Sequence, residues 1–402
     1  MPFKHWPTKR FAEPVFSFLL LSLLIACRQE PRPVLVRRAG VTSPAQKTEI
    51  VIAAVGDVMM PASVQAAAVK SAQGYGLLFE KVAQDLRAAD ITFANLETPV
   101  DQTAPATGYP AFNARPELPG ALKRAGFSVV SLANNHAMDA GTTGLRNTID
   151  NVDAAGLVFT GAGRTKAEAS QIKYINARGV KVAFLSYTYG VNRRLPGRSP
   201  RAPGVNILGN RSEADLARAA SAVRQARTAA DLVVVSLHWG DEYAGEPAPW
   251  QRQVVRVLIN AGADIILGHH PHVLQPIESF EASDGRVGLI AFSLGNFISS
   301  QNGRTTYANK TQVRALRGDG IILYIFAAKE NGKTQVVRAE FLPVWALQEN
   351  AEKVPVRRPV ILAREISRLE ILPKRTPARD DLLKLLKYRL EVITDKLMSG
   401  RP

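Results

Sequence analysis

The chain has 402 residues, 46% of them hydrophobic, which is enough to bury the core of one large α/β domain, and it shows no internal repeat or low-complexity tract. Its 51 Lys+Arg against 35 Asp+Glu leave a net charge of +16; this favours anionic partners such as lipid headgroups or a polyanion, the competing reading being arginine spread evenly by genome composition. The single cysteine, Cys27, excludes an intrachain disulfide, and the lack of a helix-turn-helix, zinc-finger or RNA-binding signature argues against nucleic acid as a partner.

Lys4, Lys9 and Arg10 precede an apolar run from Val15 to Ala26, the layout of a secretory signal and too short for a comfortable membrane span. The run ends in Leu24-Ile25-Ala26-Cys27, which resembles the bacterial lipobox. Residues 1–27 are therefore expected to be a lipoprotein signal, with Cys27 acylated and the exported chain anchored to a membrane of the cell envelope. An uncleaved signal anchor is the alternative. Arg28, where no aspartate follows the cysteine, points to the periplasmic side of an outer membrane if the host has two membranes. Residues 28–48 read as a proline- and arginine-rich tether, 49–345 as the main domain, and 346–402 as a C-terminal connector and helix.

Within the domain, Ile50 to Val55 reads as a strand running into Gly56-Asp57, and the spacing of Leu78, Val82 and Leu86 predicts a helix over Leu77 to Ala89. Ile91 to Glu97 is a second strand, followed by a long loop from Thr98 to Glu117 and a short helix over Leu118 to Arg124 that Gly126 closes. A third unit has strand Phe127 to Leu132 and a helix from Thr142 to Ala155 ended by Gly156. Leu157 to Thr160 is a short strand, and Ile172 to Ile175 with Val180 to Tyr187 reads as a hairpin. Arg193 to Pro203 reads as a basic loop. Helix Ser212 to Thr228, strand Leu232 to Leu237, helix Trp250 to Ala261 and strand Asp264 to Leu267 continue the alternation expected of parallel strands. Gly288 to Phe292, Ile321 to Ala328 and Thr334 to Leu342 look antiparallel, the last pair turning at Asn331-Gly332. Val344 to Pro359 is weakly patterned, and a last helix opens at Asp380-Asp381 with Leu382, Leu386, Leu390, Ile393 and Leu397 on one face.

Five of the six histidines fall in three clusters, Ala133-Asn134-Asn135-His136, His238-Trp239-Gly240-Asp241-Glu242 and Gly268-His269-His270-Pro271-His272, each directly after an apolar strand. Asp57 and Asn95-Leu96-Glu97 end two further strands, so carboxylate, amide and imidazole groups are expected to converge at one sheet edge. That mixture of oxygen and nitrogen donors suits a divalent transition metal. His269 is expected to be structural, Asn134 and Asn296 to serve turns, and Trp239 and Tyr243 to pack. Gly56 and Gly268 are expected to permit positive φ or a close backbone approach.

Gly56-Asp57-Val58-Met59, Asn95-Leu96-Glu97, the Asn134-Asn135-His136 cluster, His238-Trp239-Gly240-Asp241-Glu242, Gly268-His269-His270-Pro271-His272 and Ser293-Leu294-Gly295-Asn296-Phe297 occur in the order seen in the CapA family of poly-gamma-glutamate capsule synthesis proteins. The resemblance covers about residues 50–300. It implies an α/β fold similar to calcineurin-like metallophosphoesterases, a four-layer α/β/β/α sandwich with a C-terminal helix added. It implies metal ligands at Asp57, Glu97, Asn135, His238, His270 and His272, holding one or two divalent ions of Mn, Fe or Zn. Met59 stands where those enzymes carry a histidine, which removes one donor. Two ions, roughly 3.5–4 Å apart, would activate water for an in-line displacement, whereas one would polarise a phosphate or carboxylate.

In the catalytic roles, His136 would serve as general acid or neutral donor, Asp139 would orient it, and Glu242 would orient a ligand histidine or act as a base. The expected function is synthesis, anchoring or export of an anionic polymer such as poly-gamma-glutamate, alongside capsule-synthesis membrane proteins. Two rivals are a metal-dependent phosphoesterase acting on a phosphorylated substrate, and a non-catalytic carrier in which Arg193, Arg194 and Arg198 hold the polyanion.

Overall fold

The computed structural model describes residues 47–398 except 196, 198 and 352, so the expectations placed on Cys27, on most of the tether and on Arg198 lie outside the described residues. The first half runs β1 (Thr48–Val58), α1 (Ala62–Lys70), α2 (Ala83–Leu86), β2 (Ile91–Leu96), α3 (Glu117–Ala125), β3 (Val129–Ser131), α4 (Gly141–Ala154) and β4 (Val158–Thr160). There follow β5 (Ala162–Gly163), α5 (Lys166–Ala169), β6 (Lys173–Ala177), β7 (Val180–Thr188), β8 (Gly204–Val205), α6 (Glu213–Ala229), β9 (Leu232–His238), α7 (Pro249–Ala261) and β10 (Ile265–His269). The chain then continues through β11 (Ile277–Glu281), β12 (Val287–Ala291), β13 (Asn296–Ile298), α8 (Val313–Leu316), β14 (Asp319–Glu330), β15 (Lys333–Ala351), β16 (Val354–Ile361), α9 (Leu362–Glu370) and α10 (Pro377–Met398).

Two sheets stack face to face. The first has the order β16-β15-β14-β1-β2-β3-β4, with β13 also paired to β1; the second has the order β11-β12-β10-β9-β7-β6. Strands β1 to β4 are parallel, as are β7, β9, β10 and β12, while β14, β15 and β16 extend the first sheet as antiparallel neighbours. The innermost strands read as unbroken apolar runs because both of their faces are covered. On β1, Ile50, Ile52 and Ala54 face the second sheet, meeting Phe184, Val234 and Leu267, while Ala53 and Val55 face the outer helices with Leu118 and Ile149. A third cluster packs α6 and α7 onto the far face of the second sheet through Val223, Val255 and Leu258. The result is a four-layer α/β/β/α sandwich, with α9, through Ile366 and Leu369, and α10, through Leu386, Ile393 and Leu397, closing one end of the inter-sheet core.

Two stretches depart from the sequence reading. Leu77 to Ala89 is not one helix but a 3-10 turn over Gly74–Leu78 followed by α2. Leu77, Leu78 and Phe79 are all buried, and three consecutive residues cannot share one face of a regular helix. Residues Val344 to Pro359, read as weakly patterned, are the far half of β15 and most of β16. Pro355 and Pro359 obscure the alternation, and they are tolerated because β16 is an edge strand with no second partner for its N–H groups. Helices α1 and α9 lay unread in the sequence. Among the described residues, no helix is long and apolar enough to cross a membrane.

Candidate metal centre

The carboxyl ends of β1, β2, β3, β9 and β10 open onto one edge of the sandwich. Gly56 and Gly268 make this possible by close approach, not by positive φ: a Cβ on Gly56 would lie 2.0 Å from the Gly295 carbonyl oxygen, and one on Gly268 1.8 Å from that of Phe292. The tight seam lets β13 run parallel to β1 with Asp57 opposite Asn296.

Asp57, Glu97, His238, His270 and His272 are all buried at this edge. Asp57 Oδ1 accepts from Asn95 Nδ2 at 2.8 Å, and its Oδ2 accepts from the His270 backbone N–H at 3.2 Å and lies 3.1 Å from His272 Nδ1. Glu97 Oε1 sits 3.7 Å from His238 Nε2 and 3.8 Å from His272 Nε2. Asn135 Oδ1 is 2.9 Å from His238 Nε2, so the amide joins the same cluster. His270 (φ +94°) and His272 (φ +56°) both occupy the left-handed region around Pro271, strain of about 1–3 kcal/mol each that the surrounding contacts must hold.

The electrostatics favour a cation. Burial, then the charges of Asp57, Glu242 and Asp139, push Glu97 well above the usual carboxylate range. Burial acts the same way on Asp57, but hydrogen bonds and charge from His269 and His272 hold it well below that range. Burial, reinforced by neighbouring imidazoles, lowers His238 far below its ordinary value and His270 to about 3, so both rings are neutral and able to ligate near neutral pH. Both carboxylate oxygens of Glu97 are buried without a hydrogen-bond partner, as is His270 Nδ1. Orphaned polar atoms of this kind are costly unless something fills the space between them. Two three-residue groups, Glu97–His270–His272 and Asp57–Glu97–His238, bring their ligand atoms within 4.8 Å of one another, and Glu97 is common to both. Neither group draws on position 59, where Met59 is buried. The donor set thus fits a divalent ion.

Residues 51–301 match the family model described as "Bacterial capsule synthesis protein PGA_cap". The chain belongs to this family. It is 33% identical over 293 residues to the capsule biosynthesis protein CapA of Bacillus anthracis, covering 71% of this chain and 69% of that one. It is 35% identical over 257 residues to the PGA biosynthesis protein CapA of Bacillus subtilis, covering 61% and 62% respectively. Among solved structures it aligns with the calcineurin-like phosphoesterase YfkN of Bacillus subtilis at a TM-score of 0.41 and 12% identity, over 86% of this chain and 99% of that one.

In this capsule synthesis family member the ligand cluster is flanked by His136, whose Nδ1 lies 2.6 Å from Asp139 Oδ2; the same oxygen accepts from the Phe112 backbone N–H at 2.8 Å. Phe112 also meets the His136 ring edge-on at 4.7 Å, so the ring is fixed on two sides. Glu242 is exposed at the rim, where its charge is felt at Glu97, Tyr189 and Tyr243. Arg193 and Arg194 are exposed on the loop after β7, beside Asn192, whose backbone N–H donates to the Asn135 carbonyl at 2.7 Å. The start of the loop expected to be basic is therefore tied to the strand end that carries Asn135.

Several residues have larger parts than the sequence disclosed. Asn95 bridges Asp57 and His238, its Nδ2 lying 3.2 Å from His238 Nδ1. Asn134, read as satisfying its own turn, instead donates to the Leu96 carbonyl at 2.9 Å and so ties the β3 loop to β2. Asn296 contacts His272 Nδ1 through Oδ1 at 3.1 Å. His269, read as structural, lies beneath the cluster with Nδ1 3.3 Å from Asp57 Oδ1. Tyr189 stacks its ring on His238 at 6.3 Å. Trp239 packs as expected, stacked on Phe292 at 6.2 Å. The signal for Asn95 was its place two residues before Glu97, whereas the role of Tyr189 depends on the loop after β7 folding back across the sheet edge.

Proposed function

We propose that the chain takes part in making or exporting an anionic capsule polymer of the cell envelope, poly-gamma-glutamate or a related carboxylate polymer, through a divalent-metal centre at the sheet edge. The observation that carries the reading is Glu97, buried among three histidines with both oxygens unpartnered, in a chain of the capsule synthesis family. Asp57, Glu97, Asn135, His238, His270 and His272 would hold one or two ions of Mn, Fe or Zn. A bound ion would supply Lewis-acid polarisation of a phosphoryl or carboxyl oxygen. The protein's own contribution is positional. Asp139 turns His136 Nδ1 toward its carboxylate, which leaves the opposite ring nitrogen, Nε2, to exchange a proton with substrate. Glu242, exposed at the rim, would act on water there, and the exposed Arg193 and Arg194 would hold the polymer electrostatically.

The His136–Asp139 pair also favours a second reading, metal-dependent hydrolysis of a phosphoester in the envelope. One experiment addresses both: purified protein is assayed for bound metal, for phosphate mono- and diester hydrolysis, and for salt-sensitive binding of polyglutamate. If the centre is catalytic, His136→Ala should keep its metal and lose roughly 10²–10⁴-fold in turnover. Metal without any turnover, together with polyglutamate binding that weakens when Arg193 and Arg194 are neutralised, would instead identify a carrier. A protein that binds neither metal nor polymer would refute the proposal. For the envelope location we propose an acyl anchor at Cys27, so Cys27→Ala should move the protein to the soluble fraction. Continued sedimentation of that variant with membranes would exclude the anchor.

A further inference from the structure

We infer that Arg317, stacked on Tyr243 beside the metal centre, is a substrate-binding cation that takes an oxyanion, a carboxylate or a phosphate, of the molecule acted on. The inference rests on the reading that the centre handles an anionic substrate, and it names the residue that would grip it.

The guanidinium carbon of Arg317 lies 3.6 Å from the Tyr243 ring centroid. Its Nε is buried and has no hydrogen-bond partner, and among the described residues no ion pair is found for it. Several other arginines drawn into the protein are instead neutralised by an acid. Arg227 and Arg286 pair with Asp264, Arg358 with Glu349 and Glu80, and Arg389 with Asp319. Part of this guanidinium is thus taken out of water with the Tyr243 ring as its compensation, a weaker one than a carboxylate would give.

Both halves of the stack are fixed to the ligand loop. The Arg317 carbonyl accepts from Asn296 Nδ2 at 3.0 Å, and Asn296 Oδ1 is 3.1 Å from His272 Nδ1. Tyr243 donates its backbone N–H to the Pro271 carbonyl at 2.7 Å, between the two ligand histidines, and its ring lies 6.2 Å from that of His272. Stacking on an aromatic face orients the guanidinium plane and leaves its edge of N–H donors for a planar carboxylate or a phosphate. Such a fork binds an oxyanion bidentately, where a lysine would offer only a point charge.

The test uses purified full-length protein loaded with Mn²⁺, titrated calorimetrically with inorganic phosphate and, separately, with glutarate, with metal content measured in each sample. Arg317→Gln should weaken one probe by roughly tenfold or more at unchanged metal content. The probe affected tells a phosphorylated precursor from the carboxylates of the polymer. Arg317→Lys keeps charge and volume, so folding is preserved, and loss of the fork should still weaken that probe by about threefold or more. Wild-type affinity in both variants, or no binding of either probe by the wild type, overturns the inference even if the metal is present. Arg317-dependent binding to a protein that takes up no metal would support the inference while overturning the metal reading.

Discussion

Glu97→Gln should empty the metal centre and at the same time stabilise the metal-free protein. Glu97 is common to both groups of potential ligands, so its loss strikes every arrangement in which an ion could sit. The affinity penalty should exceed the roughly 10–100-fold that is typical for losing only an outer hydrogen-bond partner of a ligand. Without the ion, the wild-type carboxylate is a burden: it is fully buried, and neither oxygen has a donor. Burial holds that carboxyl well above its usual range, so near neutral pH the metal-free fold must strand a charge or take up a proton that the unfolded chain does not hold; an amide of the same shape does neither, and the chelated variant should gain on the order of 1–3 kcal/mol over the chelated wild type. The wild type should melt higher with metal than with chelator, because a ligand that binds only the native state stabilises it by mass action. The variant should melt at the same temperature in both. Urea midpoints in chelator, thermal melts with and without Mn²⁺, and bound metal after gel filtration decide the matter. A variant that keeps stoichiometric metal, or whose chelated form is weaker than chelated wild type, would rule out this account of Glu97.

The same conflict between stability and metal binding makes the site legible in the sequence. A buried acid and neutral imidazoles at strand ends are poor choices for packing alone, so Asp57, Glu97, His238, His270 and His272 announce themselves against the apolar runs that lead to them. The carboxyl ends of parallel strands lie at one edge of their own sheet, so β1, β2 and β3 gather their side chains in one sheet and β9 and β10 in the other; the single sheet edge expected from the sequence is two, brought together by the face-to-face stacking. The four-layer arrangement was implied by the family resemblance, and the same runs agree with it, since a strand apolar on both faces must be covered on both. What stayed hidden depends on contacts across long separations. The neighbours of His269 come from β1, more than two hundred positions earlier. Arg317 is one of many basic residues in the chain, and only its place on Tyr243 distinguishes it. The β15–β16 hairpin was obscured by Pro343, Pro355 and Pro359, whose cost depends on whether a strand lies at an edge. Arg389 is the clearest case. On a helix with apolar residues every three or four positions, an arginine reads as solvated, yet it is 1% exposed.

That burial makes Arg389→Met the substitution with the largest expected effect on stability. Arg389 Nε donates to Asp319 Oδ1 at 3.0 Å, Nη2 pairs with Asp319 Oδ2, and Nη1 donates to the Lys310 carbonyl at 3.2 Å. The pair fastens α10 to the first residue of β14, next to the seam where Gly320 bridges Gly295. On the same helix, Lys396 Nζ donates to the Gly245 carbonyl at 2.9 Å, in the loop that carries Glu242 and Tyr243. Removing the guanidinium leaves Asp319 buried without its partner, a loss of about 3–5 kcal/mol. The loss should depend on pH. Burial already pushes the Asp319 carboxyl up to about 6, against the pull of Arg389. A raised folded-state pKa means that the stability held by the proton is present below the unfolded value of 3.8 and is lost as pH rises through 6. Without Arg389 the carboxyl rises further, so the variant continues to lose stability above pH 6, and its deficit should be larger at pH 8 than at pH 5. Adding Asp319→Asn removes the stranded charge and should restore much of the loss, with a clear coupling between the two sites. Guanidinium midpoints at both pH values, for Arg389→Met, Asp319→Asn and the double variant against the wild type, measure these effects. Equal deficits at pH 5 and pH 8, or no recovery in the double variant, would mean that α10 is held by its leucines and not by the buried ion pair.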